Sequence, residues 1–192
     1  CNQSCVAPKE CRQRCFAGAC KDMKCDSHKC RQHCLRSACS SQCKSKECKQ
    51  ECNLSSCNLA CEPGVKRCVQ KCKAGNCIMR CPRGVQYCEQ SCVYGNCLMF
   101  CEADKCKRSC RCTLHCDTPK HCRQKCLSSG CKKMVCNAAK CTQMCARSRC
   151  NMECNAGKCK QTCEGGSCTM ACPPNARKCL QTCNGGGCHM TC

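Results

Sequence analysis

The sequence predicts a small, disulfide-rich, all-β repeat protein: a flattened β-solenoid of about ten two-strand coils. Three observations lead there. Cysteine occupies 42 of 192 positions. The cysteines bracket short inserts, mostly C-x3-C, from Cys1 and Cys5 to Cys188 and Cys192. From Cys11 onward, the residue at the centre of successive brackets alternates between Gln and Met or Leu.

The composition excludes an ordinary apolar core. There is no Trp, and the chain has only two Phe and two Tyr, so units of this kind must be stapled rather than packed. An even number of cysteines permits complete pairing, which calls for an oxidising compartment, and the expected location is secreted and extracellular. No apolar run reaches the length of a membrane span, and no signal peptide is present, so the chain reads as a mature protein or an excerpt of a longer one. Lys and Arg number 33 against 12 Asp and Glu, a formal charge of +21. Such a charge attracts polyanions.

The repeat is a pair of brackets. The first bracket of each pair is centred on Gln13, Gln32, Gln50, Gln70, Gln90, Arg108, Gln124, Gln143, Gln161 or Gln181. The second holds Met23, Ser41, Leu59, Met79, Met99, Leu114, Met134, Met152, Met170 or Met190 at the matching place. Residues 11–192 are therefore ten tandem repeats forming one elongated domain, and residues 1–10 are an orphan half-repeat, with Gln3 making its bracket one of the Gln type. Every Gly and Pro lies in a connector between brackets, where turns need them. Brackets Cys20–Cys25 and Cys131–Cys136 carry one extra residue, the mark of a bulge.

Inside a bracket, strand geometry points both cysteines and the central residue to one face, leaving intervening pairs such as Arg12 and Arg14 on the other. A helix would bring the cysteines together but turn Met79 or Met99 outward. Helix propensity of Gln, Lys and Met keeps tandem disulfide-bonded helical hairpins as the alternative. With strands, stacked coils place Gln70 on Gln90 and Met79 on Met99 as an interior ladder of amides and thioethers. Ten coils at the strand spacing would extend about 50 Å.

The disulfide framework is expected to run through Cys68, Cys72, Cys77, Cys81, Cys88, Cys92, Cys97 and Cys101. Spacing places Cys72 opposite Cys77 and Cys68 opposite Cys81 in a nested pattern, and bridges between stacked coils are equally compatible with it. A bridge from Cys68 to Cys72 along one strand is excluded by length. If pairing is nested, Cys1 and Cys5 are left over as candidates for intermolecular bonds.

High cysteine with high lysine resembles a metallothionein, but Cys110 and Cys112 form the only C-x-C pair and no C-x2-C exists, so no metal site and no cofactor is assigned. His28, His33, His115, His121 and His189 occupy unrelated phases of the repeat, and no catalytic residue follows from them. Basic residues do recur in phase: Lys29, Arg67, Lys105, Lys140, Lys158 and Lys178 precede their brackets and would line up as a stripe suited to acidic polysaccharide or mucin. Nucleic acid is not expected as a partner, because stacking aromatics are scarce. An ice-binding surface would need a flat Thr array, and the threonines are scattered.

The phrase Cys179-Leu-Gln-Thr-Cys-Asn-Gly-Gly-Gly-Cys-His-Met-Thr-Cys192, with its siblings along the whole chain, resembles repetitive cysteine-rich proteins of invertebrate, cnidarian-like extracellular structures. The resemblance implies an extracellular structural protein and carries no residue role. The expected function is a building block of a fibre, capsule, mucus or matrix that assembles head to tail with itself. The alternatives are a secreted basic module for acidic glycans and a thiolate metal-binding protein.

Overall fold

The computed structural model describes residues 2–18, 20–95, 97–110, 114–126, 131 and 133–192. The described residues form a β-solenoid without a helix, so the helical-hairpin alternative is not supported. Contacts divide the chain into two compact units, Cys1–Asp104 and Lys105–Cys192.

In the first unit the strands are β1 (Asn2–Phe16), β2 (Cys20–Leu35), β3 (Cys39–Asn53), β4 (Cys57–Cys61), β5 (Arg67–Lys73), β6 (Ile78–Cys81), β7 (Tyr87–Cys92) and β8 (Leu98–Cys101). All pairings are parallel. The first three strands are long because connectors 26–29 and 44–47 contain neither Gly nor Pro and stay extended. From β4 onward Pro63 with Gly64, and Pro82 with Gly84, end the strand, since proline removes a ladder donor and these glycines take positive φ. Pro8 is tolerated in β1 at a register shift between Ala7 and Glu10. The extra residue of Cys20–Cys25 produces a second shift between Cys20 and Met23.

The second unit has β9 (Lys105–Cys110), β10 (Leu114–Asp117), β11 (His121–Cys126), β12 (Lys133–Asn137), β13 (Lys140–Ala146), β14 (Asn151–Asn155), β15 (Lys158–Glu164), β16 (Thr169–Ala171), β17 (Lys178–Asn184) and β18 (His189–Thr191). Two parallel sheets result. One runs β9-β11-β13-β15-β17 and the other β10-β12-β14-β16-β18.

Registers keep like on like. In the first unit Gln13, Gln32, Gln50, Gln70 and Gln90 are successive partners, as are Met23, Ser41, Leu59, Met79 and Met99. Gln3 corrects the sequence reading, because it pairs with Met23 and so lies in the Met column. Brackets alternate between the two sides of the coil, so the one before Gln13 faces it across the interior whatever its central residue.

The interior glutamines bind in three directions. Gln70 Nε2 donates to Gln50 Oε1 at 2.9 Å, to the Leu59 carbonyl at 2.9 Å and to the Arg80 carbonyl at 3.2 Å. Gln161 repeats this with Gln143, Met152 and Ala171. One amide thus links its coil to the preceding one and reaches the backbone of the opposite side. Gln50, Gln70, Gln143 and Gln161 are fully buried, and satisfied burial of this kind is what allows a polar core. Each Nε2 points toward the lower-numbered coil, so the ladder has a direction. Met79 is fully buried beside it and Met99 nearly so.

Among the described pairs the disulfides join one bracket to the next across a connector. Cys72 bonds Cys77 and Cys92 bonds Cys97, whereas Cys68 bonds Cys61 and Cys81 bonds Cys88. The nested partner of Cys68 is therefore not realised, although its sulfur lies within 4.8 Å of those of Cys81 and Cys88. Both kinds of connector bring their flanking cysteines to a Cα separation of 6.3 to 6.4 Å, inside the range a bridge accepts. Cys101 is also disulfide-bonded.

The short turns stack as well. Their second residue is left-handed at Ala17, Arg36, Leu54, Ala74 and Arg147 as well as at Gly165 and Gly185. Gly75, one place further on, is fixed by a different cause: a Cβ there would collide with the Ser55 carbonyl of the coil before.

Candidate interaction surface

Alternation within each bracket sends the residue before the first cysteine, and those flanking the central residue, to the outside. Parallel registers then turn each such position into a column, one rung per coil about 4.8 Å apart.

The first unit mixes charges on the face outside its Gln column. The rungs are Glu10, Lys29, Glu47, Arg67 and Tyr87, then Arg12, Arg31, Lys49, Val69 and Glu89, then Arg14, His33, Glu51, Lys71 and Ser91. Neighbours neutralise one another. Glu10 Oε1 lies 3.0 Å from Arg12 Nε and 3.0 Å from Arg31 Nε, Lys29 Nζ lies 3.4 Å from Glu47, and Lys49 Nζ lies 3.0 Å from Glu51. The hydrogen bond from Arg12 holds the Glu10 carboxyl below its ordinary value. The Arg67 guanidinium stands 5.5 Å from the centre of the Tyr87 ring.

The corresponding face of the second unit carries no acid in its three columns. They read Lys105, His121, Lys140, Lys158 and Lys178, then Lys107, Arg123, Thr142, Lys160 and Leu180, then Ser109, Lys125, Met144, Thr162 and Thr182. Burial first, and then the charges of Lys140, Arg123 and Lys105, depress the His121 pKa. A shallow depression here is lined by Lys140, Lys158, Lys160, Lys178 and Leu180. On the opposite sheet Lys133 Nζ sits 2.8 Å from Glu153, and Asn155 donates to Asn137 Oδ1 at 2.9 Å.

Of the six basic residues singled out from sequence, Lys105, Lys140, Lys158 and Lys178 share one column, while Lys29 and Arg67 lie in the first unit beside Glu47 and Tyr87. Lys125 is a further cation of this face that those six positions do not include. Its place two residues on from Arg123 is the alternation signal that identifies it.

Cys5, expected as an intermolecular candidate, is bonded to Cys11, because the connector 6–10 closes like every other. Cys1 lies outside the described residues. The free thiol among the described residues is the exposed Cys192, whose sulfur lies 3.5 Å from Cys179 Sγ. Sulfur triads such as Cys72, Cys92 and Cys97 fall within 4.8 Å of one another, but Cys92 and Cys97 are a bridged pair and Cys72 is bonded to Cys77. Oxidised sulfur is no thiolate ligand, so these triads are stacked disulfides. His33 Nε2 is 2.8 Å from Asn53 Nδ2, while His28, His115 and His189 are exposed.

Arg108 is the exception inside the Gln column. It is 1% exposed, its Nε, Nη1 and Nη2 have no hydrogen-bond partner, and burial pulls its pKa down to about 9.

No family model, no curated protein and no solved structure matches this chain. Dense disulfides fit an extracellular protein, and no helix among the described residues is long and apolar enough to cross a membrane.

Proposed function

We propose that the protein is a secreted structural building block of a fibre, capsule, mucus or matrix, with no catalytic role, and that its coils add to further coils of the same type to make filaments. The observation that carries this reading is the polar ladder. Within each run of glutamines a coil receives Nε2 of the next glutamine on its own Oε1, as Gln143 receives Gln161 and Gln161 receives Gln181 at 2.9 Å, the run being interrupted at Arg108. A coil that offers the same strand edge and amide carbonyl to every successor is suited to open-ended addition. The next coil comes either from a longer stretch of the same polypeptide or from a second copy.

Electron microscopy and sedimentation of native, unreduced protein at rising concentration test this. Filaments are expected. A monodisperse monomer at high concentration would remove the assembly. Non-reducing electrophoresis of the native protein then reports any covalent lock between copies.

A further inference from the structure

The interior repeats alike in both units, yet the two outer faces differ in charge. Over five rungs and three columns, the second unit holds Lys105, Lys107, Arg123, Lys125, Lys140, Lys158, Lys160 and Lys178 without an acid, whereas Glu10, Glu47, Glu51 and Glu89 interrupt the first. Like charges about 4.8 Å apart are closer than the Debye length of about 8 Å at physiological salt, so they repel and act as one field. Packing of the coils does not require this, because the first unit stacks with mixed charge. From this we infer that the outer face of β9, β11, β13, β15 and β17 binds a linear acidic polysaccharide laid along the stack.

The shape of the charge selects the ligand. The cations stand on a parallel sheet, one rung after another, so they match anions repeated along an extended polymer over about 20 Å rather than one compact anion. Lysine, the commonest cation here, is a flexible point charge that follows such a polymer without demanding bidentate geometry. Nucleic acid matches the charge but finds no aromatic ring in these columns other than His121 for its bases. An anionic membrane would favour apolar side chains inserted beside the cations, and the face supplies only Leu180 and Met144.

The test uses the whole chain, oxidised, with fluorescently labelled heparin and hyaluronan as sulfate and carboxylate probes, and a DNA duplex and anionic vesicles as competitors. Lys140→Glu, Lys158→Glu and Lys178→Glu together should weaken glycan binding about 100-fold or more near 0.15 M salt and flatten its salt dependence. Lys29→Glu with Arg67→Glu should change it by less than about threefold. Free-thiol counts and circular dichroism confirm that both variants fold, and the three lysines changed to Gln give a milder loss in the same order. Binding of either glycan at this face supports the inference, and the preferred probe says whether sulfate or carboxylate is read. Glycan bound to the wild type should also raise the His121 pKa, which imidazole NMR reads directly. Equal losses from the two sets of variants, tighter capture of DNA or vesicles than of both glycans, or no binding at all would overturn it.

Discussion

Replacing Arg108 by Gln should make the protein more stable, an unusual outcome for a buried position. The guanidinium occupies a place where Gln recurs, and its nitrogens have no partner. Its neighbour Gln124 already gives its Oε1 to Gln143 Nε2 at 2.9 Å, so the amide edge left toward Arg108 is a donor facing donors. Burial moves the pKa down from the ordinary guanidinium range to about 9, which corresponds to about 5 kcal/mol of lost preference for the charged form. A glutamine would remove that term and supply Oε1 to Gln124, a bond of about 1 kcal/mol. The two contributions together set an upper bound of about 6 kcal/mol on the gain in unfolding free energy.

Guanidinium unfolding followed by circular dichroism, with disulfides intact, measures it as a higher midpoint at unchanged slope. Arg108→Leu separates the two causes, since it relieves the charge without completing the ladder and should gain less than Arg108→Gln. The pH dependence carries the same signature. Because the folded pKa lies below the unfolded one, the unfolded chain binds the extra proton above about pH 9, and wild-type stability must rise with pH there. At neutral pH both states are protonated and the penalty is present in full. Arg108→Gln should lack this rise. A variant no more stable than wild type, or an unchanged alkaline profile, would refute the reasoning.

Three further outcomes follow from the interior. Gln70→Lys puts an ammonium where a fully buried amide bonds Gln50, Leu59 and Arg80, and should lower stability by about 3–5 kcal/mol by denaturant titration. Gly75→Ala drives a methyl into the Ser55 carbonyl and should cost about 1–3 kcal/mol, with faster hydrogen exchange at Gly75, whose N–H bonds the Tyr94 carbonyl at 2.9 Å. Cyanogen bromide cleavage in denaturant without reductant should separate fragments at Met79, Met152 and Met170, because bridges at Cys77, Cys81, Cys150, Cys154, Cys168 and Cys172 all lead away across connectors. Fragments that stay joined by mass spectrometry would mean that cysteines pair across brackets.

How much of this was legible in the sequence depended on what repetition encodes. Alternation inside a bracket specifies an inside and an outside, and the recurrence of Gln13 through Gln181 at one phase points to a stacked amide column. The bridges were not legible, because Cys68 has Cys61, Cys81 and Cys88 all near at hand and spacing does not choose among them. Gln3 is a false cue, because the column follows from bracket order and not from residue type. The charged face was half legible: phase gives the column, but the neutralisation of Lys29 by Glu47 appears only once registers place them side by side. Arg108 stands out as the break in the Gln series, yet only the packing around it shows that its nitrogens have no partner.

The local pairing of the cysteines explains why so regular an interior can coexist with so variable an exterior. Among the described pairs each bridge closes a loop of only five to seven residues in sequence, so in the loop-entropy account it contributes about 2 kcal/mol and secures one corner without reference to the coils above or below. Order between coils then rests on strand pairing and on the amide ladder, both of which use backbone atoms and inward side chains. Outward residues enter neither, so Val69, Glu89, Thr142 and Leu180 can share a register family with Arg12, Arg31, Lys49, Lys107, Arg123 and Lys160 while the ladder beneath continues. On such a face the cations of the three columns of the second unit, which hold no acid among them, are not required by the ladder beneath.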